Sequence, residues 1–462
     1  MYGKNAWEKY LKKNNVSEVA NFCEGYKDFI TTGKTERICV KNALEIAKAH
    51  GFRALETFKT LKPGDKVYST NRGKNIVLYV IGKDPIVEGI NVLGAHIDSP
   101  RIDIKQNPLY EKYEFALMDT HYYGGIKKYQ WLTIPLALHG VICKKDGTKI
   151  ELHVGEDAND PVFEITDLLI HLSAKQMQGN ASTFIEGEAL DVMVGSIPGI
   201  NEEGKELVKK NILGYLLETY GIEEEDFLSA EIEVVPAGPA RDVGFDRGMI
   251  GGYGHDDRVC AYTSLMAIVD LDRTPKRTAC TILVDKEEIG SVGNTGAQSA
   301  YFENTIAELL ALQGHTSDLD LRRCLTKSNM LSSDVSAGVD PLYDNVMELK
   351  NSCFLGHGIV FNKYTGSRGK GGCNDAHPEF VATLRGMLDK EGVNFQTAEL
   401  GRVDAGGGGT IAYILGNLNM NVIDAGVPVL NMHSPMELVS KVDVYEAYRA
   451  YKVFLLNSDK IY

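Results

Sequence analysis

Residues 76–94, IVLYVIGKDPIVEGINVLG, decide the fold of this chain. Two short runs of aliphatic and β-branched residues, IVLYVI and INVLG, are bounded by Gly and Pro, the punctuation of short strands. His96 and Asp98 follow the second run at once. Beyond Gly251, strands such as CTILV and PVLNM alternate with helical segments such as 256–271, a pattern that predicts βα units and a largely parallel or mixed sheet. In open sheets of this kind ligands gather beyond the carboxyl ends of the strands. Five acidic or imidazole residues fall at such places: His96, Asp256, Glu288, Asp334 and His433. Each except Asp256 follows an expected strand. Asp256 opens a helix, where the positive end of the helix dipole favours the ionised carboxylate.

Between residues 101 and 239 the texture changes. Aromatic and β-rich patches (YEKYEFALMDTHYYGG, QWLTIPLALHGVI, TKIELHV) precede an expected helix over 202–220, with Val208, Ile212, Tyr215, Leu216 and Thr219 near one face. The expectation is a discontinuous α/β domain, 1–100 and 240–462, interrupted by an inserted domain over 101–239. A length of 462 residues suits two or three units with cores of their own.

Composition narrows the class of function. Hydrophobic residues make up 44% and charged residues 24%, and no run approaches the roughly 18 apolar residues of a membrane helix, so no membrane partner is expected. The stretch MYGKNAWEKYLKKNN has neither an apolar core nor a small-residue cleavage site, which predicts a cytoplasmic protein. Eight cysteines lie scattered without a CxxC pair, against a disulfide framework or zinc ribbon. The formal charge of −14 argues against a nucleic-acid partner, since phosphate binding rests on clustered Lys and Arg.

Two His, two Asp and one Glu are a donor set for two divalent ions that share a bridging carboxylate. Imidazole with carboxylate favours zinc, with cobalt or manganese chemically suited to the same ligands. In VDKEEIGSVG, adjacent carboxylates at a strand end point in different directions, so Glu288 is expected to bind metal while Glu287 faces a bridging water as general base. Asp98 is expected to orient His96 by accepting its second N–H, and Asp257 to give similar support to Asp256. Taken singly, Asp334 reads as a turn residue, His433 as a core histidine and the Glu pair as a solvated strand end; the conjunction carries the metal reading. The run GGGG at 406–409 lacks the Lys-Ser/Thr ending of a phosphate loop and reads instead as close backbone approach to a peptide. No Gly-x-Ser-x-Gly elbow, nucleophilic-cysteine context or single-zinc helix motif is present.

At these residues the chain resembles the aspartyl aminopeptidase and vacuolar aminopeptidase I family of two-metal exopeptidases. The matching segments are GAHIDSPR, HDDRVCAYTSL, DKEEIGSVG, SSDVSAGVDP, GGGGTIAYIL and VLNMHSPMEL. The resemblance implies a mixed-sheet α/β/α catalytic domain in which His96, Glu288, Asp334 and His433 bind metal, Asp256 bridges and Glu287 is the base. It also implies that the insertion is a dimerisation domain, that dimers assemble into a homododecamer, and that His171, in LLIHLSAKQ, reaches a neighbouring subunit's active site. Read alone, His171 is an ordinary core histidine. The chain departs from the family in YYGGIKKYQWLTIPLALHG, which lacks an Asp-Arg pair. It departs also in FNKYTGSRGKGG, where Lys363, Arg368 and Lys370 give no single match to a residue that would meet an acidic N-terminal side chain. The expected activity is hydrolysis of the N-terminal residue from peptides, with preference for acidic, neutral or basic residues left open. The alternatives are a deacylase or carboxypeptidase on the same scaffold, or an idle shell-forming oligomer.

Overall fold

In a computed structural model, which describes residues 4–200 and 204–457, the chain divides into two compact units. One runs to Asp98 and takes in Ala240–Met432 and the chain from Met436; the other is Ser99–Pro239 with His433–Pro435.

The first unit is built on a nine-stranded mixed sheet. At its centre Thr278–Val284, Ile90–His96, Asn329–Ser332 and Asn421–Gly426 lie side by side and parallel, flanked by the antiparallel strands Asn75–Val80 and Ile359–Asn362. Every residue of Ile90–His96 and of Thr278–Val284 is buried, as continuous apolar strands covered on both faces must be. Alternate side chains feed two separate cores. Leu93, Ala95 and Leu283 pack with helices Val16–Thr32, His255–Val269 and Lys441–Asn457, while Val92, Cys280 and Ile282 pack with Tyr301–Leu312 and Asp318–Thr326. The period-2 strand geometry thus produces three layers, helix–sheet–helix. PVLNM departs from expectation: its strand, Pro428–Leu430, belongs to a separate five-stranded sheet with Arg241–Val243, Met249–Gly252, Glu437–Ser440 and Ser336–Ala337.

The second unit is a six-stranded antiparallel sheet in the order Lys149–Val154, Leu136–Cys143, Ala230–Pro236, Arg101–Lys112, Phe115–Tyr123, Val192–Gly195. Its helix is Leu207–Tyr220; Glu202, where the expected helix began, lies outside the described residues. Val208 and Leu216 are buried and Ile212 half-buried, an i, i+4, i+8 row, whereas Tyr215 and Thr219 are exposed. The inward face is therefore narrower than the sequence pattern suggested.

Candidate metal centre

Three neighbouring parallel strands deliver the acidic and imidazole side chains to one edge of the nine-stranded sheet. Val284 pairs with His96 and Ser332 with Gly94, so the chain leaves all three strands at nearly the same level. His96 is the last residue of its strand, Glu287 and Glu288 open a short turn just past Val284, and Asp334 stands two residues past Ser332. Asp256 enters from the start of helix His255–Val269, where it and Asp257 keep non-helical backbone angles. Gly426 lets the next strand approach: a Cβ there would stand 1.8 Å from the Asp334 carbonyl oxygen.

The groups converge on His96. Its Nε2 is 3.1 Å from Asp256 Oδ1 and 3.8 Å from Glu287 Oε2. Ligand atoms of His96, Asp257 and Asp334 lie within 4.8 Å of one another, as do those of His96, Glu287 and Glu288. Glu437, on the strand Glu437–Ser440, accepts the Asp256 N–H at 3.0 Å and fixes the entry of the helix.

Asp98 does more than the sequence suggested. The nearest acceptor for His96 Nδ1 is the Asp98 backbone carbonyl, at 2.9 Å, with the Asp98 carboxylate at 3.3 Å. That carboxylate also accepts the N–H of Glu287 on Oδ1 and of Glu288 on Oδ2, each at 3.2 Å. One acid thus holds the backbone of both glutamates while its own carbonyl orients the imidazole. Asp257 likewise braces His96 through its backbone, Oδ2 accepting the His96 N–H at 3.3 Å. A sequence pattern carries no mark of such side chain–backbone contacts, those of Asp98, Asp257 and Glu437 alike.

The electrostatics call for a cation. Burial, and then the nearby Asp257 charge, push Asp334 well above the usual carboxylate range; burial and the Asp256 charge do the same to Asp257. For His96 burial opposes charge, yet its bonds with Asp256 and Asp98 hold it protonated well above its ordinary range. Carboxylates crowded this closely around one imidazole are a divalent-cation donor set. The 3.1 Å between His96 Nε2 and Asp256 Oδ1 is also close to the roughly 3.3 Å between tetrahedral neighbours about 2.0–2.1 Å from one ion. The residues fit a zinc-type centre.

The remaining expected residues are placed as follows. His433 stands on the link between Pro428–Leu430 and Glu437–Ser440, with Nδ1 2.8 Å from the Gly125 carbonyl. His171 is not a core histidine: it is exposed on the short turn Ile170–Leu172 of the second unit, among the exposed Leu169, Ile170 and Leu172. The two glycine-dense stretches meet each other. Gly366 donates its N–H to the Gly408 carbonyl at 2.7 Å, and a Cβ at Gly407 would stand 2.4 Å from the Gly366 oxygen, so this glycine is required by loop–loop closure. Lys363 and Lys370 are both paired with Asp375, and Lys370 also lies over the Tyr364 ring.

Known proteins similar to this chain share one family. A family model described as aminopeptidase I zinc metalloprotease (M18) matches residues 29–455. The probable M18 family aminopeptidase 1 of Clostridium acetobutylicum is 58% identical over 458 residues, covering 98% of each chain. The crystal structure of an M18 aminopeptidase from Thermotoga maritima superposes with a TM-score of 0.94 at 46% identity, over 99% of each chain. A yeast structure, described as an aminopeptidase dodecamer, shares the fold at 19% identity, with a TM-score of 0.75 over 93% of this chain and 95% of that one. The chain belongs to the M18 family of aminopeptidases, described as zinc metalloproteases. It is accordingly a hydrolase of the metalloaminopeptidase class, and use of a divalent metal comes with the family.

Proposed function

We propose that the chain removes the N-terminal residue from peptides at a centre where His96, Asp256, Glu288, Asp334 and His433 hold two divalent ions, zinc first, with Asp256 between them. The observation that carries this reading is that three adjacent parallel strands end at one level, with ligand atoms of the half-buried Glu287 and Glu288, and separately those of the buried Asp257 and Asp334, gathered around the buried His96. His433 is included as the imidazole of VLNMHSPMEL, the segment that runs from strand Pro428–Leu430 into strand Glu437–Ser440, whose Glu437 accepts the Asp256 N–H. When bound, the ions supply Lewis acidity toward the peptide carbonyl and make water a better nucleophile at neutral pH. Glu287 is the general base: it takes a proton from the attacking water and returns it to the leaving amine. Asp98 sets the position of Glu287 and Glu288 through their N–H groups. The substrate's free α-amine is cationic and would meet a centre rich in carboxylates, which favours exopeptidase action on peptides over action on N-acylated amino acids.

The second unit is proposed as the dimerisation domain of a homododecamer, with His171 reaching a neighbouring active site. Support comes from the exposed Leu168, Leu169, Ile170, Leu172 and Met177 around His171, an apolar patch that suits a subunit interface, and from the dodecamer described for the yeast relative. Among the described residues no helix is long and apolar enough to cross a membrane; a cytoplasmic location is proposed because eight cysteines scattered without a CxxC pair suit a reducing compartment. The test is a panel of aminoacyl anilides beside N-acyl amino acids, run on zinc-loaded protein. Hydrolysis of the anilides is expected; hydrolysis of the N-acyl set alone would overturn the aminopeptidase assignment.

A further inference from the structure

The six-stranded sheet of the second unit has one apolar face, where Leu138, Leu152, Val154 and Ile232 look toward helix Leu207–Tyr220 across an apolar cavity of about 560 Å³. Strand alternation puts their neighbours on the opposite face. There the register aligns a row of titratable side chains across five strands: His153 opposite His139, His139 opposite Glu233, Glu233 opposite Asp103, and Asp103 opposite His121. Arg101 engages the acids in the middle of this row, its Nε 2.8 Å from Asp103 and 3.2 Å from Glu233. The two histidines at the other end have a different arrangement.

His139 Nδ1 and His153 Nδ1 face each other at 3.2 Å. Each ring has a carboxylate at its far nitrogen. His139 Nε2 is 2.9 Å from Glu156 Oε1, and Glu156 is itself held by the Gly238 N–H on its other oxygen. His153 Nε2 is 3.6 Å from Glu151 Oε2. On His139 the carboxylate at 2.9 Å favours the tautomer that carries its proton on Nε2, which turns the Nδ1 lone pair toward His153; Glu151, at 3.6 Å, adds negative charge beside the His153 ring from beyond hydrogen-bond reach. Two ring nitrogens 3.2 Å apart are held together by a proton or by a metal ion between them. A first-row ion about 2.05 Å from each nitrogen would subtend an N–metal–N angle of roughly 100°, between square and tetrahedral values. Imidazole backed by carboxylate is the usual support of a histidine metal ligand.

We propose that His139 and His153 form a second divalent-cation site of this chain, for zinc or a similar first-row ion, drawn wholly from the second unit and additional to the catalytic set. Lys149–Val154 is an edge strand and the His153 side chain is 43% exposed, so solvent reaches the pair and water completes the coordination. The bound ion cross-links this edge strand to Leu136–Cys143. Glu233 is not counted as a ligand, because Arg101 holds it.

The test uses the full-length enzyme, equilibrated by dialysis against a small excess of zinc chloride at neutral pH, with zinc per chain measured by elemental mass spectrometry. Wild type is expected to hold one more ion per chain than His153→Ala, with hydrolytic activity equal in the two. Zinc is expected to raise the unfolding midpoint of wild type more than that of the variant. His153→Gln, which keeps a polar side chain of similar bulk on the strand, gives the same reading if the alanine variant fails to fold. Equal zinc content in wild type and variant at neutral pH would overturn the proposal and assign the facing nitrogens to a shared proton.

Discussion

Replacing Asp98 by Asn separates two ways in which this residue could serve the centre. The carboxylate accepts two backbone N–H groups, from Glu287 and Glu288, each at 3.2 Å. Hydrogen bonds to a charged group contribute about 1.5–3 kcal/mol apiece. The amide keeps one acceptor oxygen and presents N–H to the other backbone N–H, so one bond is lost and a donor faces a donor, at a cost of about 2–3 kcal/mol. Expressed in the placement of Glu287, that lowers kcat roughly 30- to 150-fold. His96 keeps its nearest acceptor, the Asp98 carbonyl at 2.9 Å, so bound metal should be retained. The assay is kcat and KM on an aminoacyl anilide, beside metal per chain, for zinc-loaded wild type and variant. A wild-type kcat at full metal content would refute the reasoning. Loss of metal in step with activity would return Asp98 to the role of supporting the imidazole.

Two further outcomes follow from the packing. Gly426→Ala sets a Cβ against the Asp334 carbonyl, a backbone atom that cannot rotate away, and should cost at least about 3 kcal/mol and displace Asp334; an unchanged unfolding midpoint with full activity would contradict this. Asp443 is fully buried, and burial pushes its carboxyl up to about 8 against the pull of the Gly356 and Gly358 N–H groups at 2.6 and 2.7 Å. The ordinary value is about 3.9, so between roughly pH 4 and 8 the folded chain holds a proton that the unfolded chain has released, and stability falls as pH rises through that window. Asp443→Asn removes this titration. Wild type should therefore lose midpoint relative to the variant from pH 4 to 8, and a difference independent of pH would count against the assignment.

The sequence displayed what depends on hydrophobic pattern and on chain order. The runs around Ile76, Ile90 and Cys280 mark strands, and His96, Glu287, Glu288 and Asp334 follow strand ends because a parallel sheet presents its carboxyl edge to ligands. Strand partners were not legible. PVLNM looks like any other strand, yet pairs in the five-stranded sheet because its neighbour in register is Glu437–Ser440. Contacts to backbone atoms were hidden too: Asp98 on two glutamate N–H groups, Glu437 on the Asp256 N–H, Asp257 on the His96 N–H. The facing of His139 and His153 depends on the register between strands whose apolar pattern alone does not fix which residues stand opposite.

The most direct measurement is turnover by zinc-loaded wild type against Glu287→Gln, with metal content determined on the same samples. If Glu287 moves the proton and does not bind metal, the variant keeps its ions while kcat falls about 10²–10⁴-fold. A Gln variant that hydrolyses the anilide as fast as wild type, with its metal intact, would contradict the account.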